Sequence, residues 1–162
     1  MKTKNIITVV LLIFTVSFFA CNEKENCEPF ILIAQRSLGG SEGIPQQNIV
    51  VKTQKEWESF KTLMDTGYYQ GYSSVKETDS FSETEIDFDM YQIIAAISDR
   101  LPDPCWGMKI ACIAEHIDKI VVTIQISSLR GRNVVCFDMQ HQPYHIVKIP
   151  ATAKNIEFNT TK

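Results

Sequence analysis

The sequence predicts an α+β domain, a mainly antiparallel β-sheet with one helix packed on it. One stretch alone, about residues 54–65, joins a helix-start signature to helical apolar spacing. From Ile86 onward the apolar residues alternate or run continuously in short segments of strand length. The links between several of these segments are hairpin-sized, which implies antiparallel neighbours.

Taken in order, residues 30–34 form an apolar run stopped by Leu38-Gly39-Gly40-Ser41, a strand followed by a turn. Residues 48–52 make a second short strand. The helix opens with Thr53-Gln54-Lys55-Glu56, a capping box in which the threonine accepts from the N3 amide and the glutamate reaches back. Trp57, Phe60, Leu63 and Met64 then share one face, and Gly67 suits the position just past the end. Residues 68–85 read as a long polar loop carrying Tyr68, Tyr69, Tyr72 and Phe81. Tyr68, Tyr69 and Tyr72 are candidate partner-binding residues, since tyrosine offers an apolar ring with a polar tip. Their alternative role is to pack back on the helix that bears Trp57.

Strands are expected at 91–98, 106–114, 120–127, 133–139 and 144–149. In the second of these, alternation places Trp106, Met108, Ile110, Cys112 and Ala114 on one face. In the fourth it places Val135, Phe137 and Met139 together, with Val134, Cys136 and Asp138 opposite. The links 116–119 and 129–132 are the hairpin-sized ones. No internal repeat or second domain is visible.

The first 20 residues belong to export. Lys2 and Lys4 precede an apolar run at 6–20, whose 15 residues are fewer than a spanning helix needs. Such a run fits the core of a signal peptide, which is removed. It ends in Phe18-Phe19-Ala20-Cys21, which resembles the lipobox of bacterial lipoproteins. That resemblance implies cleavage before Cys21 and acylation of its thiol, with chains such as palmitate anchoring the protein to a membrane. The expected layout is a signal peptide at 1–20, a lipidated tether at 21–28 and a single domain at 29–162. An outer-membrane lipoprotein facing the periplasm or the cell surface is the expected location. Glu23, Lys24 and Glu25 suit either a surface-display tag or a solvated spacer.

Removing Lys2 and Lys4 with no acid takes the net charge from −3 to −5. That acidity, with no basic cluster, argues against nucleic acid as a partner. Cys27, Cys105, Cys112 and Cys136 remain, and an exported chain is free to oxidise them. A bridge between Cys105 and Cys136 is expected, because both lie in or beside neighbouring strands. Cys112 is expected buried and reduced inside the apolar stretch 110–114, and the role of Cys27 stays open.

No catalytic, cofactor or metal residues are expected. Zinc sites pair cysteines closely, and no Cys-x₂-Cys occurs. His141 and His145 stand about 13 Å apart if extended, too far to share an ion, and His116 falls in a hairpin turn. Glu83, Glu85, Asp87 and Asp89 read as a solvated edge rather than a carboxylate pair. Neither a Gly-rich phosphate loop nor a Gly-x-Ser-x-Gly elbow is present. Pro143-Tyr144-His145 reads as a strand entry with Tyr144 packed in the core, its other reading being a recognition surface.

The order of segments carries a second resemblance. Glu56-Trp57-Glu58-Ser59-Phe60 is followed by Ile86-Asp87-Phe88-Asp89, then Gln92-Ile93-Ile94-Ala95-Ala96-Ile97. Next come the Trp106-Gly107 strand, Ile120-Val121-Val122-Thr123-Ile124 and Gln142-Pro143-Tyr144-His145-Ile146-Val147-Lys148-Ile149-Pro150. This order resembles the PrcB-like family, named for a lipoprotein subunit that stabilises an outer-membrane protease complex, over roughly residues 50–158. Pro104-Cys105-Trp106-Gly107 departs from the Gly-Gly-type turn usual there. The resemblance implies a non-enzymatic accessory protein whose partners are the membrane, through lipid on Cys21, and an envelope protein such as a protease. The alternative function is an envelope hydrolase or small-ligand-binding lipoprotein.

Overall fold

In the computed structural model, which describes residues 26–39, 43–67, 76–128 and 135–162, the capping box of the helix is closed in both directions. The Glu56 amide donates to Thr53 Oγ1 at 3.2 Å, and Glu56 Oε2 accepts from the Lys52 and Thr53 amides at 2.8 and 3.1 Å. The Lys52 amide, aided by Thr53, holds the Glu56 carboxyl below its ordinary range. From this cap α1 runs over Gln54–Gly67. Its spacing buries Trp57, Phe60 and Met64. The Trp57 ring stacks on Phe60 at 5.7 Å, and its indole N–H donates to the Thr84 carbonyl at 2.8 Å.

Among the described residues, seven strands accompany the helix: β1 (Ile31–Gly39), β2 (Gln47–Val51), β3 (Tyr91–Ile97), β4 (Trp106–Glu115), β5 (Lys119–Ser128), β6 (His141–Pro150) and β7 (Asn155–Thr161). The fold is α+β, with mostly antiparallel strands, but the strands form two sheets rather than one. The first has the order β1-β6-β3-β2 and the second β4-β5-β7. Every pairing is antiparallel except β5 with β7.

Three layers result. Ile93, Ala95, Ile97, Tyr144 and Ile146 face α1 in one core cluster. Ile94, Ala96, Val147 and Ile149 face β4 and β5 in the other. The apolar run 93–97 is therefore split residue by residue between two cores, as period-2 alternation requires.

The structure departs from the sequence reading at five points. β7 was not expected; its Ile156 and Phe158 pack on the second core, and it pairs in parallel only because β6 intervenes in the first sheet. The expected strand at 133–139 is not one over its described part, 135–139. β5, which precedes that segment in the chain, already has β4 and β7 on its two sides, so the place beside it is taken. Within the expected loop, Glu77–Ser80 form a 3-10 helix. Its Thr78 amide and hydroxyl both donate to Asp65 of α1, and Phe81 is buried against Trp57. Pro143 lies inside β6, paired with Ser37, rather than at its entry.

Cys112 is the fifth point: it is buried as expected, and its pairing is the correction. A bulge between Ile110 and Cys112 shifts the register of β4 on β5. Ile110 and Ile113 consequently face the core, and Cys112 turns to the outer face opposite Thr123. There it is not reduced but bonded to Cys27, with Cα atoms 5.1 Å apart. Cys27 and Glu28, assigned to the tether, are docked on β4.

Truncating Trp57 to alanine should cost about 3–5 kcal/mol in urea denaturation, because a large buried ring leaves a cavity. Thr53→Ala should cost about 1 kcal/mol, the usual worth of an N-cap. Equal losses for the two variants would refute this account of what holds α1.

Candidate functional site

At the end of the sandwich where β4 begins, two sheet edges come together. β1 ends the four-stranded sheet and β4 ends the three-stranded one. Between them opens a cleft of about 460 Å³ whose walls include Arg36 and Ser37 of β1, Trp106 and Lys109 of β4, and His141 of β6. Ladder pairing fixes these positions, since Ser37 lies opposite Pro143 and Gly39 opposite His141. Leu101 clamps the start of β6 by exchanging backbone hydrogen bonds with His141 at 2.8 and 3.1 Å.

Arg36 and Lys109 line the cleft and no described carboxylate does, but the Arg36 guanidinium is paired with Glu77 at 3.5 Å, which leaves Lys109 as the cation without a carboxylate partner among the described residues. Ser37 Oγ and His141 Nδ1 are 2.8 Å apart. Trp106 Nε1 and His141 Nε2 are both buried without a hydrogen-bond partner among the described residues. A serine beside an imidazole is the first half of a nucleophile–base relay. The second half, an acceptor that orients the other ring nitrogen, is absent among the described residues.

Beside the cleft stands an apolar loop. Cys105, between the cleft residues Pro104 and Trp106, is bonded to Cys136 with Cα atoms 5.6 Å apart. That bond holds the segment leading into β6, in which Val135, Phe137 and Met139 are 79, 73 and 61 % exposed. Their alternation is the one seen in the sequence, but it faces solvent, and among the described residues no strand pairs with this segment. The sequence reading placed these residues in a strand and so missed them as a surface.

Cys21, Tyr68, Tyr69 and Tyr72 lie outside the described residues. Asp103, Cys105 and Cys136 are the described acids and thiols close enough to share an ion. With both sulfurs in the bridge, the group offers only a carboxylate, and Asp103 Oδ1 accepts the Cys105 amide at 3.0 Å. His116 sits in the β4–β5 turn, its amide donating to the Lys119 carbonyl at 2.8 Å. Glu83 is not merely solvated, for it forms an ion pair with Lys148. The Asp87 carboxylate accepts the Asp89 amide within the turn that leads into β3.

His145 is structural. It is buried in β6, where Nδ1 accepts the Ile110 amide at 3.0 Å and so links the two sheets. Burial, with Lys109 nearby, lowers its pKa from 6.5 to about 4. Tyr144 is wholly buried and its hydroxyl donates to Glu77; burial and that carboxylate push the phenol's pKa up.

Two disulfides suit a protein outside the cytoplasm. Among the described residues no helix is long and apolar enough to cross a membrane. No protein-family profile, curated protein or solved structure matches the chain. The PrcB-like resemblance therefore rests on the segments quoted for it.

The depressed His145 pKa makes a signed prediction. The unfolded chain takes up a proton below about pH 6.5 that the folded chain refuses, so stability is full above that pH. It should fall by about 3 kcal/mol as pH drops from 6.5 toward 4. His145→Asn, which keeps an acceptor for Ile110 and removes the titration, should flatten that window in denaturation curves. An unchanged slope would assign the pH dependence elsewhere.

Proposed function

We propose that this chain is a lipid-anchored accessory protein of the bacterial cell envelope that binds a partner protein and performs no catalysis itself. The observation that carries the reading is the loop bearing Val135, Phe137 and Met139. Single exposed apolar residues are ordinary, but three on one disulfide-held segment make a patch. Holding the loop in place beforehand lowers the cost of ordering it on binding. The cleft beside it, with Lys109 on its wall, suits a partner segment that carries a carboxylate next to an apolar side chain.

The lipobox-like Phe18-Phe19-Ala20-Cys21 supplies the membrane anchor in this reading, with palmitate or a similar chain on Cys21. The PrcB-like resemblance supplies the kind of partner, an envelope protein such as a protease that gains stability from the complex. An outer-membrane location follows from the same two resemblances. A small-ligand role would use the cleft without the loop.

The triple variant Val135→Ser, Phe137→Ser and Met139→Ser separates these readings. Its thermal midpoint should stay close to wild type, because exposed side chains contribute little to stability. The partner captured from membranes by wild-type protein should be lost from the variant. Undiminished capture by the folded variant would refute the loop as the binding surface.

A further inference from the structure

We infer that the β4–β5 turn, residues 116–119, is the end of the domain that meets the lipid bilayer, with Ile117 seated at its surface. The inference rests on lipidation of Cys21 and adds what the fold does with that anchor. Cys27 lies opposite Ala114 in an antiparallel bridge, and the Glu28 amide donates to the Ile113 carbonyl at 2.7 Å. The disulfide to Cys112 locks this attachment. β4 runs from Trp106 toward the turn, so an antiparallel neighbour read backward from Cys27 also heads toward the turn. The anchored end of the chain thus leaves the domain at residues 116–119.

Length makes the constraint tight. Six residue steps separate Cys21 from Cys27, a reach of at most about 20 Å at 3.3–3.6 Å per residue. Were the chain held only from Ile31, the first residue of β1, ten steps would reach about 35 Å. At the turn, Ile117 is 98 % exposed. The cations around it are already paired, Lys119 with Glu157 at 2.8 Å and Lys154 with Glu115 at 2.7 Å, and the neighbouring Asp118 is an exposed acid. The contact therefore needs no anionic lipid, and a zwitterionic phosphatidylcholine surface suffices. The other end of β4, with Cys105 and the Phe137 loop beyond it, stands about 30 Å away along the strand. The loop consequently faces away from the bilayer, toward a protein partner.

The test uses full-length lipidated protein in phosphatidylcholine vesicles with brominated acyl chains, which quench nearby tryptophan. The emission added by Ile117→Trp should be quenched, and that added by Phe137→Trp should not. A flexible Gly/Ser linker inserted between Glu25 and Asn26 leaves the folded domain and both disulfides intact. It should abolish the quenching at position 117. Equal quenching at both positions, no quenching at 117, or quenching that survives the linker would overturn the orientation. Palmitate labelling is read in the same samples. Its absence would instead overturn the anchor, and the orientation with it.

Discussion

Strands β3 and β6 are covered on both faces, by α1 on one side and by β4 and β5 on the other. Most polar groups they carry find a partner inside the protein, since leaving one unpaired costs about 1–3 kcal/mol; the Gln92 amide of β3 and His141 Nε2 at the start of β6 are the exceptions among the described residues. β6 carries several paired ones. Gln142 accepts the Ile44 amide at 2.9 Å and donates to the Ser98 carbonyl at 2.9 Å, tying two loops to the strand. That closeness dictates its neighbour. Gly43 has φ +52°, and a Cβ there would stand 2.7 Å from Gln142 Oε1. Tyr144 reaches Glu77, His145 reaches Ile110, and Lys148 pairs with Glu83 while lying 4.6 Å over the Tyr91 ring. Each polar residue of this strand thus draws in a different segment. The 3-10 helix, the turn before β2 and the second sheet are all positioned from β6.

Local chemistry was legible in the sequence because it depends on neighbours along the chain. The helix cap, the face of Trp57, Phe60 and Met64, and the hairpin through His116 needed only adjacent residues. The even run 93–97 was legible as a buried strand but not as one shared by two cores. What failed was non-local. β7 alternates Ile156 and Phe158 with Glu157 and Asn159, yet its place beside β5 depends on a strand inserted into the other sheet. The segment 135–139 alternates equally well and forms no strand, because β5 had both sides filled. Alternation shows that a segment has two faces. Which face is buried depends on whether a ladder position remains.

The bulge in β4 repeats this lesson at one residue. Counting by twos from Met108 puts Cys112 in the core, where an unpaired thiol packs as a small hydrophobe. A single inserted residue reverses every side chain beyond it. The error was therefore not about cysteine chemistry but about parity, and it hid the partner of Cys27 as well.

The two disulfides act at opposite ends of the same exposed edge. β4 ends its sheet, and an open edge is prone to pair with other chains. Cys27 and Glu28 cover its far end, while Cys105 beside its near end holds the loop of Phe137. In the chain-entropy account, closing a loop of 85 residues stabilises by about 4–5 kcal/mol and one of 31 by about 3–4 kcal/mol. The larger effect belongs to the bond that joins the start of the described chain to β4, the smaller to the bond that fixes the apolar loop. One edge strand therefore serves two purposes. Its far end receives the chain arriving from the N-terminus, and its near end carries a surface that the protein's own cores leave uncovered.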